Sequence, residues 1–281
     1  MRLYLASTSP ARRALLAQTG IEPVLVAPGV DEDAAVAAHE ATLGRQLSGP
    51  ELVSLLAVAK ASAVADAEVA GRPVDGFVFG GDSAFEVDGT LYGKPHDPAV
   101  ARERWRQMLA VGGGTLWSGH CVLDRRADRA AAVDASGGTD ASGGTDASGG
   151  TDAATSRTGG VGPARTAPPV RPLPASAAGD GLISDAAPGG SAMVADGDRV
   201  VAVDSAVLTF ADDVSDDEID AYVASGEPLE VAGAFTIDGR AAAYITRIDG
   251  APSAVVGLSL PVLRAMLLRG FGATWHDLWS M

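Results

Sequence analysis

Two kinds of hydrophobic pattern alternate along the chain. Short apolar runs at Arg2 to Ala6 and Phe77 to Phe79 read as buried strands, and stretches with apolar residues three and four apart read as amphipathic helices. Ser9 caps the first predicted helix, with Pro10 in its first turn, Leu15 and Leu16 facing inward and Gly20 as its stop. Glu51 to Ala70 predicts a long Ala-rich helix, and Asp97-Pro98 opens another that runs to about Ala110. Ser215 and Glu218 form a capping box for a helix ending near Gly226. Ser259 to Arg269 reads as the last helix, closed by Gly270. Asp88-Gly89 joins Ala84 to Val87 with Thr90 to Tyr92 as a two-residue hairpin. Strand and helix signals in alternation predict an α/β fold.

The pattern collapses between residues 125 and 198 into Gly, Ser, Thr, Asp, Ala and Pro, with tandem Asp-Ala-Ser-Gly-Gly-Thr copies starting at Asp134, Asp140 and Asp146. Such a stretch buries too little apolar surface to offset its ordering entropy, so it reads as a disordered insertion. Leu116 to Asp124 and Val200 to Phe210 flank it as paired strands, which makes it an extended hairpin tip within a single domain spanning 1–281.

Composition narrows the partners. A formal charge of −15 argues against nucleic acid and anionic membranes, because such binding needs clustered Lys and Arg. No apolar run reaches the roughly 18 to 20 residues that span a bilayer, and Cys121 has no second cysteine to pair with, so the expectation is a cytoplasmic protein. The histidines are scattered without zinc-ligand spacing; His96 and His120 fit turn and strand positions as readily as catalytic ones. Of 21 Lys and Arg, only Lys60 and Lys94 are lysines.

Three stretches could carry chemistry. Ser7-Thr8-Ser9-Pro10 followed by Arg12 and Arg13 presents a helix N-terminus to an anion, and cations in that first turn are misplaced unless an anion joins them. The same residues also fit an ordinary capped helix with solvated arginines. Gly80-Gly81-Asp82-Ser83 puts a carboxylate at the end of a buried strand, where open α/β sheets bind ligands. Extending the Asp88-Gly89 hairpin register places Asp82 beside Lys94. Lys60 lies on the packed stripe of its helix, where its ammonium would need an anionic partner. Val30-Asp31-Glu32-Asp33 is either a metal-binding corner or an acidic loop.

Leu5 to Arg13, Val30 to Glu32, Lys60-Ala61, Gly81 to Ser83, Gly93 to Pro95, Ala232 to Phe235 and Val255 to Leu258, in that order and spacing, resemble the Maf family across the chain outside the insertion. The resemblance implies a twisted mixed sheet flanked by helices, in two lobes with a cleft between them. It implies a nucleoside triphosphate pyrophosphatase: a divalent cation, Mg²⁺ or Mn²⁺, activates water that splits the substrate into monophosphate and pyrophosphate. Asp82 matches the catalytic carboxylate, Glu32 and Asp82 the metal ligands, and Ser7, Arg12, Arg13, Lys60 and Lys94 the substrate pocket. A homodimer is compatible with the resemblance, as is a non-catalytic nucleotide-binding role in septum formation. Ala11 stands where the common motif has arginine, and Thr236-Ile237-Asp238 replaces the Gly-Ile-Gln of pyrimidine-directed members, so base preference, modified guanines included, stays open.

Overall fold

The computed structural model describes residues 1–127 and 193–280. In chain order these form β1 (Leu3–Ala6), α1 (Pro10–Gln18), β2 (Val24–Leu25), α2 (Glu32–Leu43), α3 (Gly49–Val64), β3 (Glu68–Val69), β4 (Arg72–Pro73), β5 (Phe77–Val87) and β6 (Thr90–Tyr92). Then come α4 (Pro98–Val111), β7 (Gly113–Asp124), β8 (Met193–Asp196), β9 (Arg199–Phe210), α5 (Asp216–Ala224), β10 (Ile245–Asp249), α6 (Pro252–Val255) and α7 (Leu260–Ala265), which continues as a π-helical turn over Met266–Gly270.

One mixed sheet dominates, in the order β10-β9-β7-β5-β1-β2, with β6 added to β5 and β8 to β9. β1 runs parallel to β2 and β5, and the remaining pairs are antiparallel. Side chains alternate across the sheet, so Leu3, Leu5, Phe77 and Phe79 join α1 and α7 in one core, while Tyr4, Ala6 and Val78 join α3 in another on the opposite face. A third core, around Phe85, Trp105, Phe210 and Tyr222, covers the far halves of β5 and β9 with α4 and α5. The two lobes expected from the resemblance are therefore separate cores strung on the same long strands.

Trp105 anchors the distal core. It is fully buried, its indole donates to the Ala234 carbonyl at 2.8 Å, and the rings of Tyr222, Phe210 and Tyr244 meet it edge-on at 5.2, 5.4 and 5.8 Å. Trp105→Ala is expected to cost about 3–5 kcal/mol, because it leaves a cavity and an orphaned carbonyl together. Urea unfolding measures this directly; a midpoint within error of the wild type would show that the distal core does not depend on this ring.

The structure corrects three sequence expectations about the elements of the fold. The long helix ends at Val64 instead of Ala70, because Ala70 (φ 52°) and Gly71 (φ 73°) form a turn joining β3 to β4, and that turn overrides the helical preference of alanine. Asp82 lies within an eleven-residue strand and not at its end. Of the expected insertion at 125–198, residues 128–192 lie outside the described residues, while Met193–Asp196 is a strand paired with β9. That strand is only four residues long, and the low-complexity composition before it masks its apolar signal. The flanking strands pair as expected, from Leu123↔Arg199 to Gly113↔Thr209.

Candidate active site

The site forms where β5 changes neighbours. β1 pairs with it only as far as Ala6↔Gly80, and β6 begins only at Phe85↔Tyr92. Gly81 to Ala84 thus have an open edge, a switch point of the kind at which α/β sheets bind ligands. Asp82 points to the α3 face there and Ser83 to the α1 face, so both faces contribute to one locus.

Close packing of α3 brings Lys60 to Asp82. A Cβ on Gly80 would stand 2.3 Å from the Ala57 carbonyl oxygen, and one on Gly119 would stand 2.1 Å from that of Val53, so only glycines let the helix lie this near the sheet. Lys60 Nζ donates to Asp82 Oδ1 at 2.7 Å and pairs with Glu32 Oε1 at 2.9 Å. Asp31 caps α2 by accepting the amide of Ala34, which fixes Glu32 as the first helical residue above the lysine. Burial raises the Asp82 carboxyl above its ordinary range, while Lys60 and Arg12 pull it back.

On the other face Ser9 caps α1 by accepting the amide of Arg12 at 3.4 Å. Arg12 is 7% exposed, with Nε donating to Gly257 O at 2.7 Å, Nη1 to Ser7 Oγ at 3.2 Å and Nη2 to Ser83 Oγ at 3.3 Å. Burial lowers its pKa, opposed by Asp82 and Glu32. Three of its five N–H groups are thereby committed and two are left for a ligand.

Ser7, Arg12, Glu32, Lys60 and Asp82 therefore converge. Two predicted residues do not join them. Arg13 is exposed on the outer side of α1. Lys94 does not reach the side of Asp82 expected from the hairpin register, because the ladder stops at Phe85↔Tyr92; half-exposed, it pairs instead with Glu230 at 3.8 Å. Sequence reasoning gave no role to Ser83, Ser118, His120 or Gly257, whose partners lie far away along the chain. Cys121 is core as expected, its thiol pushed up to about 12 by burial.

His120 is fully buried, and its Nε2 accepts the amide of Ser259 at 2.8 Å. Burial, reinforced by the charge of Arg12, pushes its pKa down to about 3. Between that value and the ordinary value near 6.5, only the unfolded chain takes up this proton. The stabilisation is complete above the unfolded pKa and is lost as pH falls through this window. From about pH 7.5 to about pH 5.5 the wild type should lose about 1.4 kcal/mol more than His120→Gln. Guanidinium unfolding at the two pH values checks this; parallel losses would mean that His120 titrates normally in the fold.

The family model for Maf-like protein matches residues 2–140 and 188–270. This chain belongs to the Maf family. A Leifsonia xyli subsp. xyli relative named nucleoside triphosphate pyrophosphatase is 45% identical over 280 residues, covering 100% of this chain and 97% of its own. Relatives of the same name from Streptomyces coelicolor and Nocardia farcinica are each 37% identical, across 99% of this chain and 95% and 96% of theirs. Two further Maf motifs also find their places. Ala232 to Phe235 packs on β5, with the Phe235 ring edge-on to Phe85 at 4.8 Å, and Val255 to Leu258 delivers the Gly257 carbonyl to Arg12.

Proposed function

We propose that this chain hydrolyses nucleoside triphosphates to nucleoside monophosphate and pyrophosphate, with Asp82, Lys60, Glu32, Arg12 and Ser7 as its reaction centre. The observation that carries this reading is the pairing of Asp82 with Lys60 at 2.7 Å on the open edge of β5, with Glu32 at 2.9 Å from the same ammonium.

A divalent cation fits the donor set. Two carboxylates converge on one positive charge, and a magnesium site commonly takes one or two carboxylates, with water and substrate phosphates completing it. No cluster of three or more His, Cys, Asp or Glu able to hold a metal is found among the described residues. Glu32 and Asp82 would hold Mg²⁺ or Mn²⁺ there, and the ion, when bound, supplies Lewis-acid polarisation and a more acidic water.

The protein's own groups divide the remaining work. Asp82 accepts a proton from the attacking water as the new P–O bond forms and the phosphoanhydride breaks; burial, which raises its carboxyl above the ordinary range, makes it a better proton acceptor than an exposed carboxylate. Arg12 and Lys60 offset the charge that builds on the phosphate oxygens and on departing pyrophosphate. Ser7 Oγ already accepts from Arg12 Nη1 and from the amide of Ser9 at 3.1 Å, which turns its hydroxyl hydrogen outward as a donor to a phosphate oxygen. At the N-terminus of α1 Pro10 has no N–H and the Arg12 and Arg13 amides are bonded to Ser9, so the Ala11 amide and the positive end of the helix are what α1 adds to the same anion site. The buried, unpaired Cys121 agrees with a cytoplasmic setting.

The test is product analysis over a panel of canonical and modified nucleoside triphosphates with Mg²⁺, Mn²⁺ or chelator. Equimolar monophosphate and pyrophosphate, abolished by chelator, is the expected result. Tight nucleotide binding with no pyrophosphate from any substrate would reject catalysis and favour the regulatory role.

A further inference from the structure

The Arg12 guanidinium is held by uncharged oxygens, and two of the three are controlled from β7. Ser118 Oγ donates to the Ala254 carbonyl at 2.7 Å. Its single proton is thereby spent, so in its 3.3 Å contact with Ser83 Oγ it must accept. Ser83 then has only its lone pairs to offer Arg12 Nη2, and the chain of hydrogen bonds runs one way from guanidinium to carbonyl. Two residues along the same face of β7, His120 Nε2 accepts the Ser259 amide at 2.8 Å. The grips at Ala254 and Ser259 bracket Gly257, whose carbonyl takes Arg12 Nε at 2.7 Å. Gly257 has φ 96°, and a Cβ there would stand 2.9 Å from Ser83 Oγ and 3.2 Å from Arg12 Nη2, so the segment lies hard against the arginine it orients.

We propose that Ser118 and His120 are positioning residues, gripping residues 254–259 at both ends so that Gly257 and Ser83 aim the Arg12 guanidinium at the substrate's phosphates. The proposal rests on the pyrophosphatase reading for its substrate. His120 serves as an acceptor and not as a proton carrier: it is buried, its Nε2 is engaged, and it acts only through the backbone of Ser259. A buried histidine that merely filled the core would show the same burial but no link to Arg12, and that link is what distinguishes the two.

The experiment measures kcat and KM for pyrophosphate release by Ser118→Ala, His120→Leu and His120→Gln, each in the wild-type and the Arg12→Lys background, well below every variant's melting temperature. A displacement of about 1 Å at a phosphate-binding group costs about 100-fold, which sets the loss in kcat/KM expected of His120→Leu; Ser118→Ala should lose about tenfold. His120→Gln should recover to within about threefold of wild type, because its amide oxygen can accept from Ser259. In the Arg12→Lys background neither Ser118→Ala nor His120→Leu should cost more than about twofold, since residues acting through one group are not additive. Equal costs in both backgrounds, or lowered melting temperatures with kcat/KM intact, would overturn the proposal; Ser118→Ala alone decides it if His120→Leu does not fold. Calorimetric titration with inorganic tripolyphosphate reads the same aim without turnover. If the wild type releases no pyrophosphate, the functional reading fails, yet tripolyphosphate affinity reduced about tenfold in His120→Leu would still uphold the positioning role, and unchanged affinity would end it.

Discussion

Asp82→Asn is expected to lower kcat by about three orders of magnitude while leaving the protein folded, a loss within the range by which a positioned general base accelerates proton transfer. The substitution is nearly isosteric, and Lys60 keeps Glu32 as a partner at 2.9 Å, so no cation is stranded. What disappears is the carboxylate oxygen 2.7 Å from Lys60, on the stretch of β5 that neither β1 nor β6 covers among the described residues. KM should change much less than kcat, because the neutral amide retains the site's shape while Arg12 and Lys60 still attract phosphate. Steady-state pyrophosphate release, with circular dichroism to confirm folding, makes the measurement. A variant within tenfold of wild type would remove Asp82 from the chemistry.

Lys60→Met should damage both activity and stability. The lysine side chain is 10% exposed and that of Asp82 15%, so deleting the ammonium leaves a largely buried carboxylate without its contact partner. Breaking such a pair costs about 3 kcal/mol. Here the cost depends on pH, with a definite sign. Without the lysine, burial drives the Asp82 pKa still higher, so the variant's deficit is full at neutral pH and shrinks in acid, where a protonated Asp82 needs no counter-ion. Turnover should fall by about 100-fold or more in kcat/KM, since a positive charge that stabilises the phosphoryl transfer is gone. Chemical denaturation at neutral and mildly acidic pH reads the first effect and substrate titration the second. A stability deficit that grows in acid would contradict the pairing.

The order of elements was legible because local chemistry marks it. Ser9-Pro10, Asp97-Pro98 and the Ser215/Glu218 box each satisfy helix-terminal amides within a few residues, and each helix begins as those signals require. Asp88-Gly89 likewise sets its hairpin locally. Lys60 announced itself as a lone ammonium on an apolar stripe, and its need for an anion is met by Asp82 and Glu32. The hairpin register points to the wrong partner for Asp82, because reaching Asp82 extends it three pairs past Phe85↔Tyr92, where the strands part. Lys60 reaches Asp82 through the fit of α3 against Gly80 and Gly119, a packing relation that no local spacing encodes. Ser118 and His120 were opaque for the same reason: the backbone groups they hold lie 136 and 139 residues further along.

In the proposed reaction one locus on the open edge of β5 binds the triphosphate. A crystal structure of Asp82→Asn with Mg²⁺ and a nucleoside triphosphate carrying a non-hydrolysable α,β bridge tests it most directly. The triphosphate is expected against Lys60, Arg12, Ser7 and the Ala11 amide of α1, with Glu32 turned toward the metal. A nucleotide seated elsewhere, with Lys60 still paired to Glu32 and Arg12 untouched, would contradict it.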